Sequence, residues 1–142
     1  MYQASRGASY LYSSPASCLK ENSLIILAAK AEEGCGWGLA EQRFFKTLSS
    51  VKDLDDYVKE CVRKESFGDG QHRAYITART LLSHQVIMVG TDCSGLVEKI
   101  HMTPAGNMKE AAAIAQERLK INGIMALVVP DALTTIPVLA DN

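Results

Sequence analysis

Gly34-Cys35-Gly36-Trp37-Gly38 places glycines at alternate positions, a few residues after the apolar run Leu24 to Ala29. Glycines so spaced let backbone N–H groups approach an anion or another chain closely. The pattern is not GxGxxG and no Lys-Ser/Thr pair follows, which excludes a dinucleotide fingerprint and a P-loop. Either the loop touches a ligand or a second domain, or it is a structural turn. Trp37, the only tryptophan, is either an exposed aromatic wall or a core plug. Glu32 and Glu33 stand just ahead of the glycines, and a carboxylate pair can do acid–base work. Adjacent residues point apart, however, so solvated loop charge is the plainer account.

Cys35 and Cys93 each follow an apolar run and are candidate nucleophiles. A reactive thiol needs a neighbouring base or a lowered pKa, and no histidine is spaced to supply one; the inert reading is preferred. His72, His84 and His101 lack the close spacing of a zinc site. His84 precedes a strand and reads as a capping or surface residue. His72, beside Arg73 at a helix start, and His101, within His101-Met102-Thr103-Pro104, remain functional candidates. Gln3 and Arg6, three residues apart on a first helix, share a face. Such a pair is either a solvated helix end or a set of donors for a carboxylate.

The elements that must position these groups follow from periodicity. Residues 1 to about 12 read as a helix, with Ala4, Gly7 and Ala8 permitting close packing, and Ser13-Ser14-Pro15 interrupting it. Lys20-Glu21-Asn22 turns into a strand over Leu24 to Ala29. Helices are expected over Leu39 to Leu48, from Val51 to Val62 with Ser50 as cap, and over Gln71 to Leu82 with Tyr75, Ala78 and Leu82 buried. Gln85 to Gly90 is a second buried strand. A short helix capped by Thr91 or Asp92 runs to about Glu98, and Lys99 to Thr103 forms a brief edge strand. Asn107 caps a helix from Met108 to Ile121, which Asn122-Gly123 stops. Ile124 to Val129 is a third strong strand. Apolar runs alternating with helices predict a three-layer α/β/α domain spanning residues 1–142, with a mostly parallel sheet of about four strands. Right-handed crossovers then gather 34–38, 90–94, 101–106 and 130–135 along one edge.

The 142 residues carry a formal net charge of −1 with acids and bases intermixed, so no electrostatic footprint for nucleic acid or an anionic membrane is present. No apolar stretch approaches the roughly 20 residues that span a bilayer. The first residues show no signal-peptide apolar region. Four scattered cysteines, with no CxxC, fit reduced thiols in a cytoplasmic protein.

Read in order, several segments resemble the carboxyl-terminal domain of the nickel-dependent lactate racemase family. They are Tyr2-Gln3-Ala4 with a basic residue and glycine following, Ala31-Glu32-Glu33-Gly34-Cys35-Gly36, and Ala78-Arg79. His101-Met102-Thr103-Pro104-Ala105 and Val129-Pro130-Asp131-Ala132 with Thr135-Ile136-Pro137 complete the set. The resemblance implies half of an enzyme that racemises or epimerises a small 2-hydroxy acid with a nickel-pincer nucleotide. It places the histidine bases, the nickel ligand and the cofactor-linked lysine in an amino-terminal catalytic domain, the expected partner. This chain would then be an excised second half or a stand-alone remnant: a lid for substrate recognition, inactive alone and holding no cofactor by itself. The resemblance puts Gln3 and Arg6 on substrate or cofactor, and His72 where a tryptophan can stand near the cleft. Arg6 replaces the usual lysine, a change that is not conservative because arginine forks toward carboxylates and cannot lend a proton. Both departures point to a 2-hydroxy acid other than lactate. The rival readings are a free-standing small-molecule-binding or interaction module and a cysteine-dependent enzyme.

Overall fold

The computed structural model describes residues 1–14, 18–21, 23–64 and 66–138. Pro15 and Asn22, expected at the first helix stop and in the turn after it, lie outside these. Helices and strands alternate in the order α1 (Tyr2–Ser13), β1 (Leu24–Ala28), α2 (Leu39–Ser50), α3 (Leu54–Val62), α4 (Gln71–Ser83), β2 (Gln85–Val89), α5 (Ser94–Lys99), β3 (Thr103–Ala105) and α6 (Met108–Leu119).

The two apolar runs pair as parallel neighbours, with Ile25 opposite Val86, Ile26 opposite Ile87 and Leu27 opposite Met88. β3 adds in parallel to the other side of β2, giving the order β1-β2-β3. Pro104 sits within β3, at an edge where a missing N–H is tolerated. The pleat sends alternate residues to opposite faces. Ile25, Val86 and Met88 meet Ala8 of α1, Phe44 and Leu48 of α2, and Ala74 and Ala78 of α4. Ile87, Val89 and Ala105 pack on Ala111 and Ala115 of α6. The result is the expected α/β/α sandwich on a parallel sheet, but with three strands among the described residues rather than about four.

The missing strand is 124–129. It makes no ladder, and Met125 is 94% exposed. A continuous apolar run specifies burial without naming a partner. A further strand here would have to join the outer edge of β1. Instead the segment and β1 both line an open groove of about 1240 Å³.

Smaller corrections have local causes. The cap of α3 is Asp53, whose carboxylate accepts from the Asp56 N–H at 2.9 Å, whereas Ser50 ends α2 and donates to the Thr47 carbonyl. α6 stops at Lys120, which takes the left-handed conformation (φ 55°) before Asn122-Gly123 is reached. Residues 99–103 are not an edge strand: Lys99 finishes α5 and the strand begins at Thr103. Cys93 takes the N-cap position of α5, and Thr91 helps only by accepting the Cys93 N–H. Within α4, Ala74, Thr77, Ala78 and Thr80 are buried, while Tyr75 is half-buried and Leu82 exposed.

Candidate functional site

The first turn of α1 rests on the glycine loop. The Met1 nitrogen donates to the Gly34 carbonyl at 3.1 Å, and the Tyr2 ring meets Phe44 edge-on at 5.4 Å. Gln3 therefore lines the same groove as Glu33 and Gly36, beyond the carboxyl end of β1. Arg6, one turn on, donates from Nη1 to Gln3 Oε1 at 2.7 Å. That bond fixes the Gln3 amide with its oxygen toward the arginine and its NH₂ group outward, a donor available to a ligand.

The glycine loop is well ordered by its own bonds. Gly34 and Gly36 take positive φ (57° and 94°), which glycine adopts without penalty. The Gly34 N–H goes to the Ala31 carbonyl (2.8 Å), that of Gly36 to Glu33 (2.9 Å) and that of Gly38 to the Glu41 carboxylate (2.8 Å). All three glycine donors are thus used internally, and Glu41 stands where an anion would have to enter. The loop is no anion cradle. Trp37 is 81% exposed and so is not a core plug. Glu32 pairs with Lys30 and both loop carboxylates are exposed, as solvated charge should be.

His72 is exposed on the first turn of α4. His101 is not on the expected edge. It precedes β3 and so lies at the amino end of the sheet, where Nε2 donates to the Leu48 carbonyl at 3.2 Å, at the end of α2. The spacing misled because His101 enters its strand, whereas the glycine loop leaves one. His84 ties the end of α4 to Ser23 through Nδ1 (3.3 Å), a structural role. Cys35 approaches only its neighbour's carbonyl, at 3.8 Å, and among the described residues neither Cys35 nor Cys93 has a thiol hydrogen-bonded to a base.

Two polar residues beside Arg6 escaped the sequence reading. Arg6 donates from Nε (3.1 Å) and Nη2 (2.6 Å) to the Tyr10 hydroxyl. The Arg73 guanidinium, from α4, lies 5.7 Å from the same ring centre. Hydrogen bonding from Arg6, reinforced by the charges of Arg6 and Arg73, holds the Tyr10 phenol below its ordinary range. The i,i+4 spacing of Arg6 and Tyr10 was visible in the sequence; the approach of Arg73 was not.

The residues present do not fit a resident nickel ion. His72, His84 and His101 occupy three separate places. Among the described residues, the one set of three ligand-type groups within reach of a common ion is Asp53, Asp55 and Asp56, exposed oxygen donors at the start of α3. Those acids also suit the positive end of the helix. No described helix is long and apolar enough to cross a membrane.

Residues 1–137 match the family described as the lactate racemase C-terminal domain. A lactate racemase from Thermoanaerobacterium thermosaccharolyticum is 35% identical over 138 residues, covering 96% of this chain and 30% of that protein. The solved structure of the lactate racemase apoprotein from the same organism superposes with a TM-score of 0.67 at 31% identity, covering 82% of this chain and 27% of that one. The chain thus spans under a third of the length of these relatives, and it belongs to the lactate racemase C-terminal domain family.

Proposed function

We propose that this chain is the substrate-recognition lid of a lactate-racemase-like nickel enzyme acting on a 2-hydroxy acid. The observation that carries the reading is the joined pair Gln3–Arg6, with Gln3 facing the groove above the glycine loop. Arg6 offers a fork matched to a carboxylate, and the outward Gln3 amide can donate to a hydroxyl or carboxylate oxygen. Exposed His72 and Trp37 would help cover the ligand and exclude water, with Gly34 and Gly36 fixing the loop that carries Trp37. The redox-active cofactor and the proton-shuttling bases belong to the amino-terminal catalytic domain in this reading, so the chain binds and orients without transforming.

The test mixes the chain with an amino-terminal partner carrying cofactor and follows racemisation of several 2-hydroxy acids. Arg6→Ala, with folding intact by circular dichroism, should lower turnover by about 10- to 150-fold, the equivalent of a lost charge-assisted hydrogen bond. An unchanged rate removes Arg6 from the site.

The second reading, a free-standing interaction module, is favoured by the exposed apolar stretch at Met125, Leu127 and Val128. It predicts that adding the chain leaves the partner's racemisation unaltered.

A further inference from the structure

We infer that a second copy of this chain docks on the outer edge of β1, each copy lending residues 124–129 to the other as an antiparallel strand. The inference goes beyond the lid reading and does not rest on it. The two edges of the sheet differ. β3 is three residues long and carries Pro104, which blunts its edge. β1, Leu24-Ile25-Ile26-Leu27-Ala28, carries neither a charge nor a proline. The Ala29 N–H donates to the Val89 carbonyl, so by alternation the backbone groups of Ile26 and Ala28 turn the other way, into the groove they line. An unpaired edge of this kind is what an added strand bonds to.

The strand that would fit is present in the chain. Among the described residues the backbone of 124–129 makes no hydrogen bond, and Met125, Leu127 and Val128 are exposed. The groove between this segment and β1 holds about 1240 Å³. Spread over the roughly 17 Å of a five-residue strand, that is a cross-section of about 70 Å², and one strand of a covered sheet takes about 50 Å². One strand fits between them and two do not. Surface area agrees. The chain exposes 9039 Å², whereas a folded protein of 15.4 kDa exposes about 7200 Å². The surplus is on the scale that one protomer of a stable dimer hides.

Charge favours a second copy over the chain's own segment. Arg118, near the end of α6, donates to Gln85 and Thr103, the first residues of β2 and β3, so 124–129 starts at the amino end of the sheet. Gly7 faces Leu27 and Ala132 together, so the segment finishes toward the carboxyl end. It thus runs parallel to its own β1. Closing onto that strand would bring Asp131 toward Glu33 and Glu41, which line the same groove, and like charges repel. Lys30 at that end is already paired with Glu32. A visiting strand, related by a twofold axis, runs the other way. It carries its Lys120 toward Glu33 and Glu41, and its Asp131 toward Lys20 at the far end of the groove. The joined sheet would read β3-β2-β1, visiting strand, resident segment, then β1-β2-β3 of the second copy. Both free edges of the arrangement are then β3, so pairing closes at two copies.

Sedimentation equilibrium of the chain alone, without substrate or catalytic domain, tests this. The mass should rise from 15.4 kDa at about 1 µM to twice that at about 200 µM. Residues 125–129 should take up deuterium quickly in the dilute protomer and slowly in the dimer. Leu127→Lys, at an exposed site, should weaken the dimer at least about tenfold with the circular dichroism unchanged. Lys120→Glu should weaken it by about two- to fivefold, and Glu33→Lys in the same chain should restore it. A mass of 15.4 kDa at every concentration overturns the inference. So does a dimer indifferent to Leu127→Lys, or one that Lys120→Glu leaves unchanged or tightens. A single-copy mass with slow exchange at 125–129 would mean that the chain has closed on itself, which also overturns it. None of these outcomes decides the lid reading, which stands or falls on racemisation.

Discussion

Two tyrosines show how placement alters one functional group in opposite directions. Tyr10, half-buried and held by Arg6, gives up its proton more readily than usual. Tyr57 is pushed the other way, first by burial and then by the neighbouring Cys61 and Glu60. An unfolded tyrosine ionises near pH 10. Above that value the unfolded chain has lost the Tyr57 proton while the folded chain retains it, so the native state binds more protons and stability falls as pH rises. Denaturant titrations at about pH 9 and about pH 11 should show a loss for the natural chain that is smaller in Tyr57→Phe. Equal losses would mean that another group governs the alkaline limb. At this scale the sequence showed Gln3 and Arg6, because helical spacing alone brings them together. Arg73 was unreadable: the chain between it and Arg6 must fold before the two meet, and no local pattern encodes that approach. His101 was misread for a related reason, since a loop's position depends on which end of its strand it adjoins.

Elements succeed or fail on their ends and junctions. Asp53 and Asn107 each accept a backbone N–H at the third helical position, and both helices begin where those side chains allow. Ser50 was an equally plausible cap from composition; what excluded it was the continuation of α2 through Ser50 itself. The junction between α2 and α4 depends on Gly70. It takes φ 78°, and a Cβ there would run into the Ala40 carbonyl and lie 3.1 Å from the Phe44 nitrogen. Both contacts are backbone atoms, which cannot step aside as a flexible side chain would. Gly70→Ala should therefore cost at least about 2 kcal/mol in equilibrium unfolding, combining left-handed strain with overpacking. A loss under about 0.5 kcal/mol would show that α4 can shift away from α2 at no expense. The parallel pairing of β1 with β2 was legible because both are apolar on both faces, as a strand covered by helices must be.

For the whole molecule, the sandwich architecture was readable and its width was not. Three strands suffice to separate a layer of α1, α2 and α4 from a layer of α6. Residues 124–129 carry side chains suited to a fourth strand, yet their fate depends on a partner edge that lies about a hundred residues earlier. One consequence concerns time scales of opening. Amide protons of β2, sealed between two neighbours, should trade for deuterium only when the entire fold comes apart, whereas those of 125–129 should label at nearly the speed of a free peptide. Slow labelling there would reveal a ribbon that has zipped onto β1 in solution. On the fast outcome, the greasiest stretch near the carboxyl end is, in isotope terms, among the quickest-written parts of the chain.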